Sequence, residues 1–148
     1  MTGDLPLVRR LVAADQGLAI VSTTRPDGTV HSSLVNAGVC DHPLTNQPTV
    51  ALVARGGAYK LKLLAAAGRA NVVFRAGWEW VSVEGPVDII GPDNPSAGFP
   101  AERIPQLLRD IFTAAGGTHD DWAEYDRVMA DERRTAVFVT PARITTNG

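Results

Sequence analysis

The sequence predicts a closed antiparallel β-barrel with helical attachments. Six segments read as strands, and most follow one another through turns rather than through crossover helices. One helix is inserted between the third and fourth strands, and two more precede the sixth. The chain has 148 residues and is 45% hydrophobic, enough for one domain spanning 1–148 with a sizeable core.

Asp4–Asp15 predicts an amphipathic helix. Leu7, Val8, Leu11 and Val12 recur at helical spacing, Asp4 can cap it, and Pro6 is tolerated in its first turn. Gly17 ends it. Leu18–Thr24 is a strand, Arg25-Pro-Asp-Gly28 a turn in which Pro presets φ and Gly takes positive φ, and Thr29–Cys40 the returning strand of a hairpin. After a Pro- and Asn-containing loop, Thr49–Arg55 is the third strand.

Gly56-Gly57 breaks that run. Ala58–Ala67 then predicts a helix with Leu61, Leu64 and Ala65 on one side and Gly68 as its C-cap. Ala70–Ala76 is the fourth strand. Trp78–Ile90 is the fifth, with Trp78, Trp80 and Ser82 sharing a face and Gly85-Pro86 marking a bulge or kink. Ala101–Ala115 is a helix with the apolar stripe Ile104, Leu107, Leu108, Ile111 and Phe112. Thr118 caps another to about Ala130. Arg133–Thr145 is the last strand, interrupted by Pro141, which argues for an edge or a bend.

Charge concentrates the functional signal in Arg55–Arg75. This window holds the chain's only two lysines, Lys60 and Lys62, with Arg55, Arg69 and Arg75, and no Asp or Glu occurs between Asp41 and Glu79. In a chain of net charge −2 such a segment fits an anionic ligand, or a solvated helix face paired with distant acids. A strand, Gly-Gly and a helix form a layout in which backbone N–H groups can hold a phosphate, although the P-loop spacing is absent. Lys60 falls in the helix's first turn, where the macrodipole disfavours a cation by about 0.3–1 kcal/mol unless an anion docks. Lys62 projects to the other side, toward solvent.

Other chemistries lack their signatures. His31, His42 and His119 are scattered, so no metal site is expected. No serine lies in a GxSxG context, and no GxGxxG follows a strand. Cys40 is the only cysteine, which excludes an internal disulfide and, without a signal peptide, points to the cytoplasm. No apolar run approaches a membrane span, and the net charge argues against nucleic acid. An enzyme with this inventory needs a cofactor to carry the reaction.

Taken together, these elements resemble the pyridoxamine 5′-phosphate oxidase-like, FMN-binding split β-barrels, and within them the flavin/deazaflavin oxidoreductases of the actinobacterial B group. The resemblance runs through Leu18–Thr24 and Pro26-Asp27-Gly28. It continues from Lys60 to Arg69-Ala70, Gly77-Trp78 and Glu84-Gly85, and ends with His119, Trp122, Tyr125, Met129 and Arg133-Arg134. It implies a six-stranded split barrel that forms a homodimer with cofactors in grooves between subunits. It further implies coenzyme F420, with FMN as the alternative, and hydride transfer from the reduced deazaflavin to a small conjugated or heterocyclic acceptor. A non-catalytic carrier or sensor of a flavin or tetrapyrrole is the reading of another class.

By the same resemblance Lys60 meets the cofactor phosphate beside the backbone of Gly57 and Ala58. Ala58 stands where an arginine is common, and Arg55 is its nearby substitute. His31, Ser33 and Val53 line the cofactor. Trp78, Trp80 and one of Arg133 and Arg134 approach from the partner subunit. Leu34 occupies a strand position where a polar residue can occur. Read from the residues alone, Trp78 and Trp80 are equally an interface core or a stacking surface, and the plain alternative for Ser33 is a strand hydroxyl. Arg133 and Arg134 face opposite sides of a strand, so at most one serves the site. No residue stands out as a proton donor.

Overall fold

The computed structural model describes residues 1–147. Helix α1 (Leu5–Ala14) is capped by Asp4, whose Oδ1 accepts the Leu7 N–H at 3.0 Å. The strands are β1 (Leu18–Thr24), β2 (Val30–Asp41), β3 (Pro48–Ala54), β4 (Arg69–Ala76), β5 (Glu79–Ile90), β6 (Thr135–Val139) and β7 (Arg143–Thr146). Helix α2 (Tyr59–Ala67) lies between β3 and β4. A 3-10 turn (Ala101–Arg103), α3 (Ile104–Ala114) and α4 (Trp122–Asp131) lie between β5 and β6.

All strand pairs are antiparallel. The barrel runs β1-β2-β3-β6-β5-β4 and closes through β4 on β1, with Ile20 opposite Val73. Two long strands make closure possible by changing partner midway. β2 pairs with β1 up to Asn36 and with β3 from Ala37. β5 pairs with β4 through Pro86 and with β6 from Val87. The sequence kink at Gly85-Pro86 is this exchange. The last predicted strand is two: Pro141 lies between β6, which belongs to the barrel, and β7, which adds an outer edge strand on the first half of β5.

Two cores follow from the alternation of side chains on these strands. Inside the barrel, Val50 and Leu52 of β3, Val72 and Phe74 of β4 and Val137 and Val139 of β6 meet Val8, Leu11 and Val12 of α1 and Leu61 and Leu64 of α2. Leu63 is the third buried residue of α2, while Ala65, expected there, is exposed. Outside the barrel, Ala51 of β3 and Ala136 and Phe138 of β6 pack under Leu107, Leu108 and Ile111 of α3 and Tyr125 of α4. β3 and β6 are thus covered on both faces, which explains their unbroken apolar runs. Asp121 caps α4 by accepting the Glu124 N–H at 3.1 Å, in place of the expected Thr118.

No helix among the described residues is long and apolar enough to cross a membrane. A Cβ on Gly85 would overlap the Thr140 carbonyl oxygen, so the partner exchange admits no side chain there. Gly85→Ala is therefore expected to cost about 3 kcal/mol or more. Urea denaturation measures this as a lowered midpoint, and a near-neutral result would refute a tight crossing of β5 and the β6–β7 bend.

Candidate functional site

A groove of about 330 Å³ lies at the edge of the outer core, between the barrel wall and the α3–α4 pair. Val53 of β3 forms its floor. Leu34, Val35 and Asn36 of β2 form one side, and Ile111, Phe112, Ala115, Tyr125 and Met129 the other. Lys60 and Arg134 bring the only formal charges to its lining. The end of α3 is held against the barrel at Gly38, where a Cβ would overlap the Ala114 carbonyl group. That approach brings Phe112 and Ala115 to the groove.

Lys60 sits in the first turn of α2, as its spacing from Gly57 predicts. It makes no hydrogen bond or ion pair among the described residues. Burial first, and the neighbouring Arg134 charge second, hold its ammonium below the ordinary lysine value of 10.5. Arg134 gives its Nε hydrogen to Glu132 Oε1 at 2.9 Å, and only 30% of its side chain is exposed. Two partly desolvated cations thus share a groove whose lining includes no acid. Such a groove gains from an anion, which would offset both the desolvation and the mutual repulsion.

The start of α2 adds to this field. Its N-cap residue Ala58 offers no side-chain acceptor, whereas α1 and α4 are capped by Asp4 and Asp121. The preceding glycines are both constrained. Gly57 has φ +76°, and a Cβ on Gly56 would come within 2.6 Å of the Arg133 carbonyl oxygen. The close approach at Gly56 is therefore to this chain's own turn after α4, and the Gly56 N–H is donated to the Glu132 carbonyl at 3.1 Å.

That contact decides the two arginines. Arg133 and Arg134 precede β6 rather than lying in it, and Arg133 has φ +49°. The left-handed residue, not strand alternation, sends them apart. Arg134 enters the groove, and Arg133 pairs with Asp93 at 2.9 Å.

The other expected residues divide by location. Arg55 is exposed at the end of β3, Lys62 is exposed on α2, and neither forms an ion pair among the described residues. His31 and Ser33 share the face of β2 that continues into the barrel. His31 meets the Tyr59 ring edge-on at 5.3 Å between centroids. The Ser33 Oγ is buried without a hydrogen-bond partner, which is unusual, and neither Ser33 nor His31 is among the residues lining the groove. Trp78 and Trp80 lie away from the groove of their own chain; β5 begins at Glu79, so Trp78 sits in the tight β4–β5 turn rather than on the strand face expected for it, and only Trp80 is in the strand. With Leu18, Ile20, Leu34 and Val73 they line an apolar depression of about 860 Å³, and Trp78 is 92% exposed. Leu34 belongs to both the depression and the groove.

Sequence reasoning missed Phe112, Tyr125 and Met129 as groove residues. Their helical stripe signalled burial, and nothing local signalled that the α3 terminus docks on Gly38. The Tyr125 hydroxyl donates to the Leu108 carbonyl at 3.2 Å, and burial pushes its pKa up. No group of His, Cys, Asp and Glu among the described residues could hold a metal ion.

The Lys60 shift has a sign that stability can read. The folded protein releases this proton at lower pH than the unfolded chain, so between the two values the unfolded chain binds more protons and stability rises with pH. Below that window the unfavourable charge is present in full. Ligand-free Lys60→Met protein is therefore expected to be more stable than the wild type at neutral pH, with the gap closing as pH approaches 10.5. Denaturation curves for both proteins at neutral and alkaline pH measure it, and a gap independent of pH would mean that Lys60 is an ordinary solvated lysine.

No family model matches the chain, and no curated protein matches it. Solved structures do. An F420 reductase is similar over 98% of both chains, with TM-score 0.62 and 14% identity. A pyridoxamine 5′-phosphate oxidase-related, FMN-binding protein from Nostoc punctiforme is similar over 95% of this chain and 79% of its own, with TM-score 0.64 and 10% identity. A conserved hypothetical protein from Mycobacterium tuberculosis is similar over 93% and 81%, with TM-score 0.65 and 17% identity. At these identities the likeness establishes the fold: a six-stranded antiparallel barrel of the pyridoxamine 5′-phosphate oxidase-like type, with one added strand and attached helices.

Proposed function

We propose that this protein is a flavin-type oxidoreductase that binds coenzyme F420 in the Lys60–Arg134 groove and uses its reduced form to reduce a small conjugated or heterocyclic acceptor. The observation that carries the reading is the pair of partly buried cations facing a groove without an acid, in a fold whose neighbours include an F420 reductase and an FMN-binding protein. The uncapped start of α2 supports an anionic ligand. The F420 reductase, similar over 98% of both chains, favours the deazaflavin over FMN.

When bound, the cofactor supplies the hydride. The chain's residues bind and orient it. Lys60 would hold the phosphate, Arg134 would add its positive charge from the groove wall, and Val35, Val53, Phe112 and Met129 would give the ring an apolar lining. Tyr125 keeps its proton on the Leu108 carbonyl and is poorly placed to donate it, so protonation of the acceptor falls to water. The same scarcity of groove acids is what a carrier would show, and turnover with an acceptor panel separates the two.

A homodimer completes the reading. The outer depression leaves Trp78, Leu34 and Ile20 in water, and covering about 200 Å² of one tryptophan is worth about 5 kcal/mol. A second copy seated there would border the groove through Leu34 and could bring its own Trp78 and Trp80 to it.

Fluorescence titration with oxidised F420, and with FMN in parallel, tests the cofactor. Lys60→Ala is expected to weaken binding about ten- to a hundredfold, the worth of one charge-assisted hydrogen bond, while Lys62→Ala leaves it unchanged. Loss in Lys62→Ala alone, or tighter binding of FMN, would overturn the assignment. Sedimentation is expected to show a dimer at micromolar concentration and a monomer for Trp78→Glu; a wild-type monomer would remove the shared groove.

A further inference from the structure

Behind the groove lies a second, smaller cavity of about 270 Å³, enclosed by the start of α3, the end of α4 and the loop at Pro92. Its walls are mainly apolar, with Ile104, Pro105, Leu108, Met129 and Ala130 contributing most of them. Met129 and Arg134 line both this cavity and the groove, and so form the partition between them. The cavity is preformed: Pro105 sits in the first turn of α3, and Leu108 is anchored in the outer core at 2% exposure.

Its two charged residues differ in what they have left to give. Asp126 is fully engaged by Arg109, with Nε on Oδ1 at 2.9 Å and Nη2 on Oδ2 at 2.5 Å, so its charge is neutralised at the wall. Arg134 spends only Nε, on Glu132. Its two Nη amino groups have no hydrogen-bond acceptor among the described residues, although the side chain is mostly covered. An apolar cavity with one fork of unmatched N–H donors selects a ligand of matching design. A phosphate would find one arginine and otherwise hydrocarbon. A carboxylate matches the fork, and an apolar body matches the rest.

We propose that this cavity is a binding site for a small carboxylic acid with an aromatic or branched apolar body, its carboxylate on the Arg134 guanidinium and its body against Ile104, Leu108 and Met129. At about 30 Å³ per water the volume corresponds to about nine waters, hence to an acid near the size of phenylacetate. On the function proposed above, the cavity takes the non-reacting end of an acceptor whose conjugated part lies in the groove. The preference for apolar acids follows from the cavity itself and does not require that function.

The chain has only two methionines, Met1 and Met129, so methyl-labelled methionine gives one signal inside the protein. Titration of the cofactor-free protein with phenylacetate is expected to shift the Met129 signal saturably, with Kd about millimolar or tighter. Phenylacetamide, neutral and of the same shape, is expected to bind at least tenfold more weakly, as is phenylacetate to Arg134→Gln. Ala130→Trp, at an exposed helix position lining the cavity, is expected to fill it and abolish the shift while thermal melting shows an intact fold. Lys60→Ala is expected to leave acid binding within a fewfold. The proposal is overturned if no saturable shift appears, if acid and amide bind alike, or if binding survives Ala130→Trp. It is also overturned if Lys60→Ala abolishes binding, which would place the acid in the main groove. Failure of F420 to bind would leave these results standing and would count only against the cofactor assignment.

Discussion

Everything in this molecule depends on how β5 is shared. Its first half is held between β4 and β7 and its second half pairs with β6, and the exchange occurs where Gly85 lets the Thr140 carbonyl in. Without that crossing the sheet would stay open, because β5 could not join β6 to β4. Closure covers the inner faces of β3 and β6. The helices between β5 and β6 then cover their outer faces, because a chain leaving β5 at Ile90 and returning at Thr135 must cross that wall. The groove is the margin of this outer layer. Its position is a consequence of barrel topology before any side chain is considered.

Within that margin the chain keeps an unfavourable arrangement. Two cations with mostly apolar neighbours weaken the ligand-free fold, since each is partly removed from water and each repels the other. Glu132 reaches only the Nε of Arg134, which fixes the guanidinium and leaves its outer edge unengaged. The pattern is that of a site which gives up stability so that its charges remain available to a ligand.

Much of the barrel was legible because its signals are local. Leu18–Thr24 alternates, Asp4 and Pro6 open α1, Gly68 closes α2 in the left-handed conformation, and Lys60 follows from counting along α2. The break at Pro141 and the kink at Gly85-Pro86 were visible as backbone exceptions, and the partner exchange they serve required the fold. What stayed hidden was set by contacts distant in sequence. Arg133 adopts φ +49° in a turn whose preceding carbonyl, that of Glu132, receives the Gly56 N–H, and no propensity of arginine announces that. Phe112 and Met129 read as ordinary core residues because the same stripe that buries α3 and α4 also forms a groove wall, and only the docking at Gly38 tells the two apart. Leu63 is buried and Ala65 exposed because α2 leans on the barrel with a different edge from the one its leucine spacing suggested.

Leu34 connects the two surfaces that matter most. It is 63% exposed, and it lines both the outer apolar depression and the cation groove. On the proposed dimer, a second copy covering the depression buries Leu34 and removes water from one side of the groove. Lower local polarity strengthens the attraction of Lys60 and Arg134 for a bound anion, and raises the cost of leaving them without one. Anion binding and association are then linked. Each removes a penalty that the other imposes, and the coupling must be the same in both directions. A leucine at a strand position open to a polar residue is, on this view, what makes the apolar face and the charged groove one functional unit.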